Sequence, residues 1–598
     1  MKRLHIIEDG LSVFALLTMA LLPLLEITLR TFFSIGIPGS SVWVQHLTLW
    51  VGFMGAAIAA RKGEMLSLST GISLLGQKTR DVSQVYASGM GVAVCGTLAW
   101  GSLQLVLVER EGGSLLALGL PVWVAQGIMP LGFLVIGLRL LRKVPFGWKG
   151  QALTGSFLIF PILMWAFEAL PGHGLWIPLL AAFVAATVLG APIFVILAGV
   201  ASVLLWDYYE PVSAIAVETY GLTLNPILPT IPLFTFAGYI LAEGGTPARL
   251  VGLFRALFGW MPGGLALAAI VVCAFFTSFT GGSGVTVLAM GGLLYPMLRD
   301  DNHSHKFTSG LLTSSGSLGL LFPPSLAVLL YGIVAEIDIP TLFLSGLVPG
   351  ILEIALVAGF ALLYSKRLRM ARVPFDFQKA LRAMWDAKWE VAIPILVLGS
   401  ILSGLATLVE ASAITVFYAF VLEFFIRRNL RLRGDLTRVV GSAATLIGGV
   451  LLILGVALGL TNFFVIQEIP SQATVWVQSF VQSPLFFLLL LNLFLLVVGC
   501  LMDMYSAIVV VVPLIAPLGL SFGIDPFHLG IIFLTNLELG FLTPPVGMNL
   551  FLASYRFERP LFEVYRSVLP FLAIRVVAVG LVTYVPALTT TLPKMWGR

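Results

Sequence analysis

Long uncharged, apolar stretches dominate the chain, and short segments carrying most of the Lys and Arg residues separate them. About 20 apolar residues in a helix suffice to cross a hydrocarbon core of roughly 30 Å, and a backbone inside lipid must satisfy its own hydrogen bonds. The pattern therefore predicts an all-α polytopic membrane protein, in a chain long enough for more than a dozen apolar segments.

The N-terminal part shows four simple spans. They lie near residues 11–29, 43–60, 84–108 and 119–138. Basic residues cluster after the second and fourth spans, a bias that marks cytoplasmic loops. Four crossings that start inside return the chain to the inside, so residues 1–148 are predicted to form a four-helix membrane domain. Residues 149–172 then contain a connecting transmembrane helix, near 152–170, and residues 173–598 form the remaining domain.

The apolar stretches of that larger domain are interrupted. Ala256 to Leu298 contains no charged residue, and its 43 residues would make a helix of about 65 Å, twice the membrane core. The polar segment TSFTGGSG at 277–284 predicts that this stretch is a re-entrant helical hairpin. The next uncharged stretch contains GLLFPP at its middle, where Pro323 and Pro324 remove two backbone donors. A broken helix is predicted there.

A second copy of this arrangement lies near the C-terminus. Residues 469–524 are uncharged except for Asp503, and a span with GFLTPP at its middle follows. The distance from Pro296 to Gly319 and the distance from Pro517 to Gly540 are both 23 residues. Paired interrupted segments of this kind indicate the binding site of a secondary transporter with internal repeats. A basic stretch between the halves, residues 366–390, is predicted to be a surface linker with an amphipathic helix.

Composition and charge exclude other classes of protein. Hydrophobic residues make up 59% of the 598 positions and charged residues 11%, against roughly 25% charged in soluble domains. The net charge of +5 comes from loop residues, so no nucleic-acid partner is expected. Cys95, Cys273 and Cys500 lie in apolar runs without disulfide or zinc spacing, which predicts packing roles.

The two breaks are the candidate chemical centre. A broken helix frees carbonyl oxygens, which Na⁺ accepts as ligands, and free N–H groups at the next helix start, which favour an anion. In the first half, the predicted cation ligands are the hairpin tip and the backbone oxygens of Gly319, Phe322 and Pro324. In the second half, they are Asp503, Ser506, Gly540, Thr543 and Pro545. The tips are predicted to enclose an organic anion with Thr280, Gly281, Gly282, Ser283, Asp503 and Ser506.

Plainer interpretations remain open for each of these features. Gly and Pro are common in membrane helices and can mark a kink or close packing. Asp503 can be an N-cap at the hairpin tip instead of an ion ligand. Glu410 and Glu538 can support ions, cap helices or line a wet interface. Arg30 and Arg110 are expected to be interfacial anchors.

These motifs resemble the membrane component of tripartite ATP-independent periplasmic (TRAP) transporters. The residues that carry the resemblance are IPLFTFAGYILAEGG (231–245), SFTGGSGVTVLAMG (278–291), SSGSLGLLFPPSLAVLLYG (314–332), DMYSAIVVVVPLIAPL (503–518) and NLELGFLTPPVGMNLFLAS (536–554). The first four spans resemble the family's small subunit more weakly, through LTLWVGFMGAAIAARKGEML. The chain is therefore similar to a fused small-plus-large permease.

The resemblance implies more than the residues establish by themselves. It implies Na⁺-driven symport of an organic anion, delivery by a periplasmic substrate-binding protein, and a location in the bacterial inner membrane. The two pseudo-equivalent sites predict two or more Na⁺ ions. The resemblance also implies an elevator-type fold with inverted repeats, in which the four-helix unit is scaffold, and a monomeric fused permease. Within the last signature, Asn549 is expected to contact substrate.

Two departures from the family pattern bear on contacts. The hairpin tip usually reads Ser-Gly-Ser-Ser, whereas Thr280-Gly281-Gly282-Ser283 has one hydroxyl fewer. The small subunit often has a Glu pair where this chain has Trp43-Val44-Gln45-His46. The first departure concerns substrate contacts, and the second concerns the subunit or partner surface.

Alternative functions make different predictions. A stand-alone Na⁺-coupled dicarboxylate carrier would need no binding protein. A membrane-embedded enzyme is disfavoured because the chain has no His-Glu-x-x-His, no Gly-x-Ser-x-Gly and no phosphate loop. The anion itself is not readable. The resemblance favours a carboxylate, such as a C4-dicarboxylate, a sugar acid or sialic acid, or else a sulfonate.

Overall fold

The computed structural model describes residues 2–67, 76–166, 175–367, 374–544 and 547–597. Within these ranges, regular structure is helical apart from two isolated bridges, Ser67 with Pro192 and Leu115 with Pro121. Ten helical segments in the same ranges are long and apolar enough to cross a membrane. The predicted all-α multi-pass architecture is confirmed.

The helices are numbered in chain order. The first eleven are α1 Lys2–Phe33, α2 Ser40–Lys62, α3 Gln77–Gly112, α4 Val122–Gln126, α5 Ile128–Arg142, α6 Gly147–Ser156, α7 Ile159–Ala166, α8 Trp176–Val188, α9 Ile193–Asp207, α10 Ser213–Gly221 and α11 Thr230–Glu243. The next nine are α12 Thr246–Phe258, α13 Gly264–Thr280, α14 Ser283–Asp300, α15 His305–Ser315, α16 Leu326–Val334, α17 Ile339–Arg367, α18 Phe377–Asp386, α19 Lys388–Leu402 and α20 Leu408–Phe420. The last eight are α21 Asp435–Ile466, α22 Ile469–Gln478, α23 Pro484–Leu501, α24 Met504–Ser521, α25 Pro526–Gly540, α26 Met548–Phe557, α27 Leu561–Tyr584 and α28 Ala587–Met595.

The chain divides into two compact units. Unit 1 consists of Met1–Leu233 and Leu436–Gln472, and unit 2 consists of Phe234–Asp435 and Ala473–Arg598. Helix α21 therefore belongs to unit 1, although both hairpins and both breaks belong to unit 2.

Unit 1 begins with the four predicted spans, which are α1, α2, α3 and the pair α4–α5. Helices α2 and α3 end at glycines with positive φ, Gly63 (81°) and Gly113 (67°), a conformation that favours glycine. Helix α1 packs on α2, and α5 packs on both α2 and α3. At one end of this bundle, Glu8 accepts hydrogen bonds from Arg61 at 3.0 Å and from Arg139 at 2.6 Å. Ion pairs thus join α1, α2 and α5.

Helix α21 crosses α2 with the two backbones in contact. A Cβ atom on Gly55 would lie 2.0 Å from the Ala444 carbonyl oxygen, and one on Gly448 would lie 1.9 Å from the Ala56 nitrogen. No side chain fits at either position, so glycine permits the crossing, as small residues do in other membrane helix pairs. Unit 1 is therefore assembled from segments that are far apart in the chain.

The predicted connecting span near 152–170 is described only in part. Its described residues form two short helices, α6 and α7, with residues 157–158 between them. Residues 167–170 of the predicted span lie outside the described part of the chain.

Unit 2 contains both predicted hairpins. Helices α13 and α14 reverse at residues 281–282, and α23 and α24 reverse at residues 502–503. Helix α13 ends where Gly281 takes a φ of 67°. The first reversal is narrower than the predicted segment 277–284, because residues 277–280 complete the last turn of α13.

Each hairpin is followed by a helix that is broken as predicted. Residues 316–325 separate α15 from α16, and residues 541–547 separate α25 from α26. The peptide bond between Pro323 and Pro324 is cis. Residues 545 and 546 lie outside the described ranges, so the structure gives no account of the predicted ligand Pro545.

The remaining expectations about elements also hold where they are described. Helix α18 is the amphipathic helix of the basic linker, and its exposed apolar residues, Phe377, Leu381, Met384 and Trp385, recur at helical spacing. Residues 368–373 of this linker lie outside the described part. The three cysteines are free and buried, as packing residues should be.

Candidate functional site

The tip of the first hairpin is buried and polar. The hydroxyl of Thr280 donates to the Phe276 carbonyl oxygen of its own helix at 2.9 Å and lies 3.5 Å from Thr286 Oγ1 of α14. The hydroxyl of Ser283, at the start of α14, donates to Oδ1 of Asn549 at 3.0 Å. Asn549 lies in the first turn of α26, so this bond joins the first hairpin to the second broken helix.

The tip of the second hairpin is organised by Asp503. Its Oδ1 accepts hydrogen bonds from the backbone N–H groups of Tyr505 at 3.0 Å and Ser506 at 3.2 Å, and its Oδ2 accepts from the Ser506 hydroxyl at 2.6 Å. Asp503 is thus the N-cap of α24, as the plainer interpretation anticipated. Whether it also binds a cation stays a prediction.

The two tips contact each other. The Tyr505 hydroxyl, at the start of α24, donates to the Gly281 carbonyl oxygen at 2.9 Å. The second arm of each hairpin packs on the second half of the other broken helix, α14 on α26 and α24 on α16. A Cβ atom on Gly281 would lie 2.4 Å from Leu326 Cβ of α16. The two repeats are therefore interlocked at their tips.

The first break lies against the first arm of its own hairpin. A Cβ atom on Gly319 would lie 2.0 Å from the Ala274 carbonyl oxygen of α13. The carbonyl oxygens of Gly319 and Phe322 accept hydrogen bonds from the backbone N–H groups of Phe322 and Ser325, at 3.1 and 2.9 Å. A carbonyl oxygen has two lone pairs, so each of these two keeps one acceptor position.

The second break repeats this packing. A Cβ atom on Gly540 would lie 2.4 Å from the Gly499 carbonyl carbon of α23. The Gly540 carbonyl oxygen accepts from the Thr543 N–H at 3.0 Å, and the Thr543 carbonyl oxygen accepts from Cys500 Sγ at 3.2 Å. The close-packing interpretation of these glycines is therefore correct for both breaks. A ligand role for their carbonyl oxygens remains untested.

Several buried polar groups near the tips lack a partner. Nδ2 of Asn549 and the hydroxyls of Ser315 and Ser317 are buried without a hydrogen-bond partner among the described residues. Buried polar groups are normally paired, so such groups indicate a position where a ligand or water binds. Ser315 and Ser317 were not singled out from the sequence. The feature of the sequence that could have identified them is their position in the segment SSGS, immediately before the predicted break.

A hydroxyl cluster links the first hairpin to the first break. Thr277 Oγ1 lies 2.9 Å from Thr286 Oγ1 and donates to the Gly316 carbonyl oxygen at 2.8 Å. Both threonines are buried within the hairpin arms. The cluster fixes where the chain leaves α15 and enters the break.

The sequence leaves the roles of Glu410 and Glu538 open, and the structure gives these two glutamates different contacts. Glu410 forms a capping box with Thr407 at the start of α20. Glu538 forms a buried ion pair with Arg575, which also contacts Glu353 at 2.8 Å. Glu353 and Arg575 were missed, although a charged residue within an apolar helix is a recognised sign of a functional or paired group.

Comparison with known families identifies the chain. The family model described as the DctM component of tripartite ATP-independent periplasmic transporters matches residues 180–588. The chain belongs to this family. The model for the DctQ component of the same transporters matches residues 19–149, so one chain carries both membrane components of a TRAP transporter. The resemblance inferred from the motifs is confirmed.

Individual relatives extend this match over most of the chain. It is similar to the isethionate TRAP transporter permease protein DctMQ of Oleidesulfovibrio alaskensis, with 29% identity over 92% of this chain and 88% of the relative. It is also similar to the C4-dicarboxylate TRAP transporter large permease protein DctM of Pseudomonas aeruginosa, with 33% identity over 67% of this chain and 94% of the relative. The sialic acid TRAP transporter large permease protein SiaM of Vibrio cholerae is 29% identical over 62% of this chain and 87% of the relative.

Family membership fixes the general character of the protein. It is a multi-pass inner-membrane permease of a transporter family. The family's tripartite and periplasmic description implies that a TRAP permease works with a separate periplasmic binding component.

Proposed function

We propose that this permease carries an organic anion across the inner membrane by symport with Na⁺, after a periplasmic substrate-binding protein delivers the anion. The observation that carries the proposal is the meeting of the two hairpin tips through Tyr505 and Gly281. That contact brings both repeats to one place, where paired broken helices supply donors for an anion and acceptors for cations.

The anion would bind at the tips and helix starts. Ser283 holds Oδ1 of Asn549, which leaves Nδ2 of this buried amide as an unused donor. Asn549 lies in the first turn of α26, where free backbone N–H groups also favour negative charge. The proposed substrate ligands are Thr280, Gly281, Gly282, Ser283, Asp503, Ser506 and Asn549.

The cations would bind at the breaks. The backbone oxygens of Gly319, Phe322 and Gly540 each keep an acceptor position, and Ser315 and Ser317 add unpaired hydroxyls near the first break. Oxygen atoms of this kind suit a hard cation such as Na⁺. Two equivalent breaks imply at least two ions, with Ser283, Pro324, Asp503, Thr543 and Pro545 as further candidate ligands.

An elevator mechanism is part of the proposal. The crosswise packing of α14 on α26 and α24 on α16 supports movement of both hairpins and both breaks as one body. The four-helix domain of residues 1–148, joined through residues 149–172 to residues 173–598, would belong to the scaffold. We further propose that the fused permease works as a monomer.

The substrate class follows from the relatives' names. The proteins to which this chain is similar are named for isethionate, C4-dicarboxylates and sialic acid. These compounds share a carboxylate or sulfonate group, and we propose a substrate of that class.

Uptake into proteoliposomes tests the proposal. The substrate is first identified by thermal-shift screening of the neighbouring binding protein against carboxylates and sulfonates. Uptake of that compound should require both the binding protein and an inward Na⁺ gradient. Uptake without the binding protein would favour a stand-alone carrier, and uptake without Na⁺ would refute the coupling.

Two variants test the site. Ser283→Ala and Asp503→Ala should weaken Na⁺-dependent uptake, and wild-type Na⁺ dependence in both would refute the assignment. Ser345→Ala is the matched control, because that buried hydroxyl donates to the Thr341 carbonyl oxygen of its own helix.

A further inference from the structure

Helix α18 of unit 2 turns small side chains towards the protein and its large apolar side chains away from it. Ala380 is buried, and Ala387, directly after the helix, belongs to the hydrophobic core of the unit. On the other side, Leu381 is 56% exposed and Trp385 is 70% exposed. The exposed apolar side, which we call the apolar stripe, consists of Phe377, Leu381, Met384 and Trp385.

This arrangement is the reverse of that in a helix whose outer side faces water. Such a helix packs its apolar side on the core and leaves its polar side in water. Helix α18 packs on α12, yet the apolar stripe is exposed. A contiguous exposed apolar patch marks a surface that binds another protein, a ligand or a membrane.

The position of the stripe decides between these occupants. Residues 408–426 form one of the segments that are long and apolar enough to cross the membrane. The next residue, Arg427, donates a hydrogen bond from Nη2 to the carbonyl oxygen of Asp386, the last residue of α18. Tyr418 of the same segment donates to the Trp389 carbonyl oxygen at 2.9 Å. The end of α18 is therefore fixed beside the end of a span, where lipid tails meet headgroups.

The surroundings of the stripe are basic. Residues 376–388 and 427–433 together contain seven Lys or Arg residues and two Asp residues. Nζ of Lys388 lies 3.5 Å from the ring centroid of Trp385, so a cation borders the stripe. Basic residues at the end of a span mark the cytoplasmic side, where the membrane surface is negatively charged.

We propose that the apolar stripe and the basic residues 427–433 form a binding surface for anionic phospholipids of the cytoplasmic leaflet. Acyl chains cover the stripe, and headgroup phosphates contact the exposed side chains of Arg382, Arg428 and Arg431. A second copy of this chain fits the surface less well, because it would bring the same positive charges together. The inference does not depend on the proposed Na⁺ coupling.

Fluorescence quenching tests the contact of the stripe with lipid tails. Leu381→Cys places a label on the stripe, and Lys379→Cys places one on the other side of the helix, since residues two apart lie about 200° apart. The native cysteines are buried, so an environment-sensitive dye labels the new position. In vesicles of phosphatidylglycerol and phosphatidylcholine, a nitroxide on the acyl chains should quench the label at 381 several-fold more than the label at 379. Aqueous acrylamide should show the opposite order.

Thermal unfolding tests the preference for anionic headgroups. Phosphatidylglycerol added to the purified full-length protein in detergent should raise its melting temperature more than phosphatidylcholine does. Arg428→Gln and Arg431→Gln should each weaken the apparent affinity for phosphatidylglycerol about fivefold, the contribution of one basic residue near an anionic surface. Arg80→Gln is the matched control, because it removes the same charge from an exposed position at the start of α3 and should leave that affinity unchanged.

Three results would overturn the proposal. Equal quenching of the two labels by the nitroxide lipid would show that the stripe does not enter the acyl region. Protection of the label at 381 from both quenchers would show that protein, such as a second copy of the chain, covers the stripe. Equal stabilisation by the two lipids would show that the basic residues do not select an anionic headgroup.

Discussion

At the scale of single residues, Asp503 combines a structural contact with a proposed ligand role. Its carboxylate caps α24 through two backbone N–H groups and also accepts from the Ser506 hydroxyl. Asparagine caps helices about as well as aspartate, whereas alanine does not. The two roles can therefore be separated by comparing the two substitutions.

We predict that Asp503→Asn keeps the stability of the protein but weakens its apparent Na⁺ affinity. Asp503→Ala should lower both the stability and the apparent Na⁺ affinity, and loss of the N-cap should lower the free energy of unfolding by about 1 kcal/mol. Thermal unfolding and the Na⁺ dependence of uptake measure the two effects. Unchanged Na⁺ affinity in Asp503→Asn would show that Asp503 acts as a helix N-cap and does not bind Na⁺.

His303, in the loop between α14 and α15, makes stability depend on pH. Its side chain is fully buried and stacks on Phe307, and burial lowers the pKa of its imidazole, although Asp301 partly offsets this. The unfolded chain then binds a proton more readily than the folded protein below the ordinary histidine pKa of about 6.5. His303 therefore costs stability as the pH falls through that value.

We predict a smaller loss of melting temperature on mild acidification in His303→Gln than in the wild type. Burial raises the pKa of Asp301, which acts in the opposite direction. The difference between the two proteins is therefore the informative quantity. Equal losses in both proteins would exclude His303 as the responsible group.

At the scale of elements, one glycine in each break allows the backbone to pack closely on the hairpin of the same repeat. Gly319 lies against α13 and Gly540 lies against α23, both at distances that exclude even a methyl group. The two contacts occupy equivalent positions in the two repeats. Close packing and the proposed ligand geometry thus depend on the same residues.

We predict that Gly319→Ala and Gly540→Ala each lower thermal stability and uptake, because overpacking costs about 1–3 kcal/mol. Gly359→Ala is the control, since no described atom outside the adjacent residues and the local backbone of its own helix lies within 4 Å of a Cβ atom there. Alanine also has the higher helix propensity, so the control should be neutral or slightly stabilising. Wild-type stability in both break variants would contradict the observed packing.

The elements were predictable from the sequence because their signals are local. The length of the uncharged stretches and the Pro-Pro pairs located both hairpins and both breaks. The partners were not predictable, because Gly281 and Tyr505 are 224 residues apart. Likewise, no charged residue lies close to Glu538 along the sequence, and its contact with Arg575, which also contacts Glu353, forms only when three helices pack together.

At the scale of the whole molecule, the compact units do not follow the order of the chain. Helix α21 packs on α2, although the family model for the smaller component ends at residue 149. The contact of Gly55 and Gly448 therefore joins the two components within unit 1.

We predict that a chain cut after residue 172 and expressed as two pieces copurifies, because the crossing of α2 and α21 survives the cut. Gly448→Ala should lower the yield of the copurified complex, while Gly359→Ala in the same split protein should not. An unchanged yield in Gly448→Ala would show that the other contacts within unit 1, such as those of α3 with α10, hold the pieces together.

The interlocked tips also have a consequence for synthesis of the protein in the cell. Tyr505 is made 224 residues after Gly281, so at roughly 5–20 residues per second the ribosome needs about 10 to 45 s to supply it. Asn549, the partner of Ser283, emerges later still. During this interval the polar tip of the first hairpin therefore lacks its contacts with Tyr505 and Asn549. The first repeat completes its packing only after the second repeat has been translated.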